Sequence, residues 1–291
     1  MMTFSYVLNE LFKQPIYFLM GIVLFFTSLI FNDTKVIFYI LTVFILVGGL
    51  PHGALDFFIL KKIFSKYYFY ISLVVYLAIS FIVFFVFNFT PTVFFMIFLI
   101  YSAFHFGHSD WEDHTKLSKY CWGFAVITLP TMIDPNESHS FFSIFIEDAF
   151  SILLVEYFSI FSVFFALFTL LKKKNRTLKL LILSSYIFLC YFSNIYFAFI
   201  AYFVGFHSIH HLEYWKEKVE KNTFDQLFVI TLVVILFFLV QLIFQVIPLG
   251  IDYNNLEEIM IYNAFLSYWV IDCSTYDINR LCKEIKLDLS Y

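Results

Sequence analysis

The chain has 291 residues, of which 62% are hydrophobic, 23% aromatic and only 14% charged, with a net charge of −4 and a mean hydropathy of +0.85. So apolar a composition excludes an ordinary soluble domain and predicts a protein embedded in a lipid bilayer. The balance of charge is small and the Lys and Arg residues fall in short segments, which argues against nucleic acid as a partner.

About 20 apolar residues are needed to cross the hydrocarbon core as a helix. In chain order the first such run is 14–32, which follows Lys13, lacks a small-residue cleavage site and reads as a span rather than a cleavable signal peptide. A second run is 36–55. The stretch 67–109 holds two spans broken at Asn88-Phe89-Thr90-Pro91. Weaker candidates come next at 120–133 and at 149–171, the latter interrupted by Glu156. The segment 180–207 holds two more with a turn near Ser193-Asn194, and 226–251 and 259–271 complete the set. The expected fold is all-α, a polytopic membrane helical bundle of about ten (eight to ten) transmembrane helices. With no linker or repeat, residues 1–291 read as one membrane domain, with a core of about 14–272 and a short polar tail at 273–291.

Charge distribution supports an even number of spans with the N-terminus in the cytoplasm. Under that topology 17 of the 18 Lys and Arg residues fall on the inner segments and Lys35 alone falls outside, as the positive-inside rule requires. Acids such as Asp134, Glu137, Glu147 and Asp148 then lie in outer segments. The four cysteines, Cys121, Cys190, Cys273 and Cys282, form no CxxC pair and read as small apolar fillers.

Three histidine clusters interrupt the oil: Pro51-His52-Gly53-Ala54-Leu55-Asp56, His105-Phe106-Gly107-His108-Ser109-Asp110, and His207-Ser208-Ile209-His210-His211. An imidazole without a partner is costly in hydrocarbon, so clustering of this kind points to a shared ligand, a metal ion above all. In the expected topology all three clusters lie near the inner ends of spans that run from outside to inside, and so share one depth. His207 and His211, four residues apart, would face one way on a helix, with His210 one residue off that line. Asp56 and Asp110 are positioned to hold imidazole N–H groups from behind. Gly48-Gly49 and Gly107 permit close approach of helices. His114 and His139 fall in loops and read as solvated. All-imidazole coordination suits iron, copper, zinc or nickel.

These motifs resemble the Brp/Blh family of bacterial and archaeal β-carotene 15,15'-dioxygenases, over about residues 47–215, with the PHGALD and HFG…D pieces the most specific. The resemblance implies an integral membrane enzyme, in a bacterial inner membrane, that uses Fe(2+) to split the central double bond of β-carotene with O2 and give two retinal molecules. Carried over by position, the metal ligands are His52, His105, His207 and His211, with Asp56, Asp110, His108 and His210 around them and no catalytic residue beyond the ligands. Membrane lipid would surround the site, and a rhodopsin is the partner implied for the retinal. One departure stands out: the family's final span carries a Pro-His pair, whereas this chain has Phe265-Leu266-Ser267-Tyr268-Trp269 and no histidine after His211.

Two other readings use the same residues. The HxxHH spacing of 207–211 also matches membrane di-iron desaturases and hydroxylases, which need about eight histidine ligands, and this chain has eight histidines in all, two of them in loops. A metal or proton transporter would instead carry ionisable residues along a path through the whole bilayer, and here they crowd at one end.

Overall fold

The computed structural model describes residues 10–31, 56–111, 114–171 and 175–216, together with single helical positions at 37, 40, 43, 44, 48, 226, 229 and 231. Among the described residues every regular element is helical. In chain order they are α1 (Pro15–Ile30), α2 (Asp56–Ile63), α3 (Lys66–Phe89), α4 (Pro91–Asp110), α5 (Lys116–Ile133), α6 (Pro135–Phe142), α7 (Asp148–Thr169), α8 (Arg176–Phe192), α9 (Ile195–Tyr202), a π-helical turn (Phe203–Ser208) and α10 (Ile209–Lys216). The breaks expected near 88–91 and at 193–194 fall where the sequence places them. Pro91 opens α4 at a position where its missing N–H costs nothing, and the Asn194 side chain caps α9 by accepting from the Tyr196 amide at 2.7 Å. Among the described residues three stretches are long and apolar enough to cross a membrane, Pro91–Asp110, Asp148–Thr169 and Ile195–Tyr214, and α1 is a shorter apolar helix. They are compatible with a membrane protein. The expected spans at 36–55, 226–251 and 259–271 lie outside the described residues, apart from the single positions named above.

The chain divides into two compact units, one drawn from residues 1–37 and 90–210, the other from 38–89 and 211–291. In the second, α2 packs on α3 through rings such as Phe57 and Phe69, whose centroids are 5.4 Å apart. In the first, α9 and the π turn form the buried centre, flanked by α1, α4 and α8, while α5 bridges α4 to α7. Phe197, Ala198, Ile200, Ala201 and Tyr202 are all buried. By contrast α7 presents Ile152, Leu153, Phe161, Phe164 and Leu167 outward, an apolar surface suited to lipid and costly in water.

Helix approach in this unit depends on missing side chains. A methyl group at Gly107 would overlap the backbone carbonyl of Lys119, and one at Gly123 would overlap that of Ala103, so α4 and α5 cross nearly backbone to backbone. Gly205 admits α1 in the same way, with Tyr17 and Met20 against it.

Polar contacts gather at the two ends of the first unit. At one end the Lys179 ammonium donates to Ser118 Oγ at 2.9 Å, lies within 3.5 Å of Thr169 and stands 4.7 Å from the centre of the Trp111 ring, tying the start of α5, the end of α7 and the start of α8. At the other, Asp134 caps α6 by accepting from the Glu137 amide at 3.0 Å. The Glu137 carboxylate there accepts from Asn194 Nδ2 at 2.7 Å and from the Ile195 amide at 3.3 Å, placing an acid at the positive start of α9. The segments that charge distribution groups on one side thus meet at one end. Two basic residues expected in a loop, Lys119 and Lys179, are instead buried within helices. His139 also differs from expectation: it sits in α6 with Nδ1 2.8 Å from Ser151 Oγ, because Asp134-Pro135 starts a helix in a segment whose polarity suggests a loop. Cys121 and Cys190 are buried and unpaired with each other, in keeping with a filler role; Cys273 and Cys282 lie outside the described residues.

Candidate metal centre

The last turn of α4 and the π turn face each other at the Lys179 end of the first unit. They bring together two histidines separated by 102 residues, with His105 Nε2 3.2 Å from His207 Nε2. Both rings are buried, at 1% and 0% exposure, where an unanswered polar nitrogen is expensive. His105 stacks along Tyr101, and His207 lies between Phe106 and Phe203, whose centroids are 4.8 and 5.7 Å from its own. The aromatic walls keep water from these nitrogens.

Asp110 stands behind His207. Its Oδ1 accepts from His207 Nδ1 at 2.7 Å, and Ser109 Oγ lies 3.2 Å from the same nitrogen. With the Nδ1 proton directed at a carboxylate, the lone pair of His207 is left on Nε2, the atom that faces His105. The other oxygen, Oδ2, accepts from Trp122 Nε1 at 3.1 Å and from the Tyr202 hydroxyl, and Trp122 Nε1 is also 2.9 Å from that hydroxyl. Asp110, Trp122 and Tyr202 are all buried.

The remaining expected residues are spread around this pair. His108 points to α5, where its Nε2 is 3.4 Å from the Tyr120 hydroxyl. His210 stacks on Phe206 with centroids 6.1 Å apart. His211, on α10, is buried and belongs to the second unit. His52 lies outside the described residues. Asp56 begins α2, and its side chain is likewise outside them. Among the described residues no three His, Cys, Asp or Glu side chains form a metal-binding group.

The donor chemistry of the pair suits a divalent transition metal. Two imidazoles bound to one ion at about 2.1 Å, at an angle between square and tetrahedral, stand roughly 3.0 to 3.4 Å apart, and the observed separation falls in that interval. Asp110 supplies the carboxylate that ligating histidines ordinarily have behind them. Trp122 and Tyr202 do not stand out in the sequence. The only signal there is general: a Trp or Tyr deep in an apolar helix needs a partner for its polar atom.

A family model described as beta-carotene 15,15'-dioxygenase matches residues 43–246, a segment that contains all three histidine clusters. No curated protein and no solved structure matches the chain.

Proposed function

The chain belongs to the beta-carotene 15,15'-dioxygenase family, and from that membership we propose that it cleaves the central 15,15' double bond of β-carotene with O2, giving two molecules of retinal. The balance is complete without a reductant, because one C=C bond and one O2 become two C=O groups. We assign His52, His105, His207 and His211 as ligands of Fe(2+). Bound there, ferrous iron would supply the dioxygen activation that no side chain of the protein can provide.

The protein's own contribution is placement and exclusion. His105 and His207 offer two nitrogens at a common point, and that pair, lying within the family-matched segment, is the observation that carries the reading. Asp110 accepts the His207 Nδ1 proton, which leaves the lone pair on Nε2, the atom turned toward His105. Phe106 and Phe203 keep the site dry. The substrate is a long apolar polyene dissolved in the bilayer, and a site among membrane helices can receive it sideways without passing it through water. In this reading the protein sits in a bacterial inner membrane, N-terminus and metal site toward the cytoplasm, and a rhodopsin is the recipient of the retinal.

The test is expression in a β-carotene-producing bacterium. Loss of orange colour with appearance of retinal is the expected result, and unchanged pigment in cells that hold the intact protein in their membranes refutes the proposal.

A further inference from the structure

We infer that Tyr202 and Trp122 are positioning residues for the metal centre, acting on His207 through Asp110; this rests on the centre proposed above. A carboxylate that held one imidazole and nothing else could swing about its side-chain torsion. Asp110 is not free to do so. Its Oδ2 takes two donors, the Tyr202 hydroxyl and Trp122 Nε1 at 3.1 Å, and these fix the carboxylate plane so that Oδ1 lies on His207 Nδ1 at 2.7 Å. Trp122 also donates toward the Tyr202 oxygen at 2.9 Å, so indole donates to phenol and phenol to carboxylate, while the imidazole donates into the same carboxylate from its other oxygen. The indole–phenol and phenol–carboxylate bonds polarise one another, and in a buried site water does not substitute for a missing donor. Tyr202 and Trp122 are both fully buried.

Local backbone geometry explains why Tyr202 can act on His207 at all. They are five residues apart, and a regular α-helix would turn them about 140° from each other. The π turn at Phe203–Ser208 inserts the wider i to i+5 step, which returns position 207 to the face of position 202. One irregular turn thus aims both side chains at Asp110. Trp122 arrives from α5 beside Gly123, whose missing side chain lets that helix press against α4.

The test uses the full chain in detergent, stripped of metal and titrated with Co(II) as the probe, reading both the affinity and the energy of the d–d absorption bands. Tyr202→Phe, which removes one oxygen, should weaken Co(II) about tenfold and shift the bands. Trp122→Phe should move both readouts in the same direction, and it stands in should Tyr202→Phe fail to fold. In an Asp110→Ala background, which leaves no side-chain oxygen to orient, Tyr202→Phe should have no further effect on affinity, since the path runs through that carboxylate. A purely structural role would lower the melting temperature of the metal-free protein and leave the affinity and bands of the folded fraction as in the parent. Wild-type affinity and unshifted bands in the variants overturn the inference while leaving the metal centre intact. A parent chain that binds no Co(II) overturns the centre and the inference with it.

Discussion

Asp110→Asn changes one oxygen to an NH2 group of nearly the same size, and the surrounding donors dictate how the site responds. The native carboxylate accepts from His207 Nδ1, Trp122 Nε1 and the Tyr202 hydroxyl. If the new carbonyl turns to Trp122 and Tyr202, the NH2 group faces His207 Nδ1, which must then become an acceptor. Its proton moves to Nε2, the atom proposed to hold the metal. If the carbonyl instead turns to His207, the Tyr202 O–H loses its acceptor in a buried site, at a cost of roughly 1 to 3 kcal/mol. Either way a charge-assisted hydrogen bond is exchanged for a weaker or inverted one, a loss of about 1.5 to 3 kcal/mol. That corresponds to a decrease in iron affinity of roughly 10- to 160-fold. Iron bound per chain across an Fe(II) titration measures the effect, with retinal quantified by chromatography from the same preparations. An Asn variant that binds iron and forms retinal like the parent refutes the reasoning from Asp110.

Three further outcomes are expected. His52→Ala and His211→Ala should each abolish retinal formation. His139→Ala should retain it and lose only about 0.5 to 1.5 kcal/mol of stability with its Ser151 hydrogen bond; equal activity in all three variants rejects the ligand assignment. Gly123→Ala places a methyl group into the Ala103 carbonyl and should destabilise the protein by about 1 to 3 kcal/mol, seen as a lower melting temperature in detergent; an unchanged melt contradicts the close crossing of α4 and α5. The pH dependence at the opposite end of the first unit is set by Glu137, whose carboxyl burial pushes above the usual glutamate range, opposed in part by the Ile195 amide. The folded protein therefore holds the proton more tightly than the unfolded chain, and the associated stability is lost as pH rises through that elevated value. Glu137→Gln should flatten this decline, and a variant that melts with the same pH slope as the parent removes Glu137 as its cause.

Much of the architecture is legible in the sequence for a simple physical reason. In hydrocarbon every backbone polar group must be answered within its own helix, so long apolar runs leave few choices. Pro91 and the Ser193-Asn194 pair mark helix boundaries through local chemistry alone. The histidine clusters announce themselves because polar rings in oil need partners, and the motifs around them point to the family that the comparison then shows. What the sequence misses is of another kind. The polarity of His139 and Lys179 suggests loop residues, whereas a capped short helix and the close meeting of three helix ends bury or pair them.

The chain's helical class and its candidate histidines are thus written in composition and local motifs, each of which acts over a few residues. Which nitrogen meets which was decided only by tertiary structure. His105 reaches His207 across 102 residues because the end of α4 packs against the π turn. Tyr202 reaches Asp110 because one π turn rotates the chain. Hydrogen bonds fail over a few tenths of an ångström, and such precision comes from how helices cross rather than from the order of residues along any one of them.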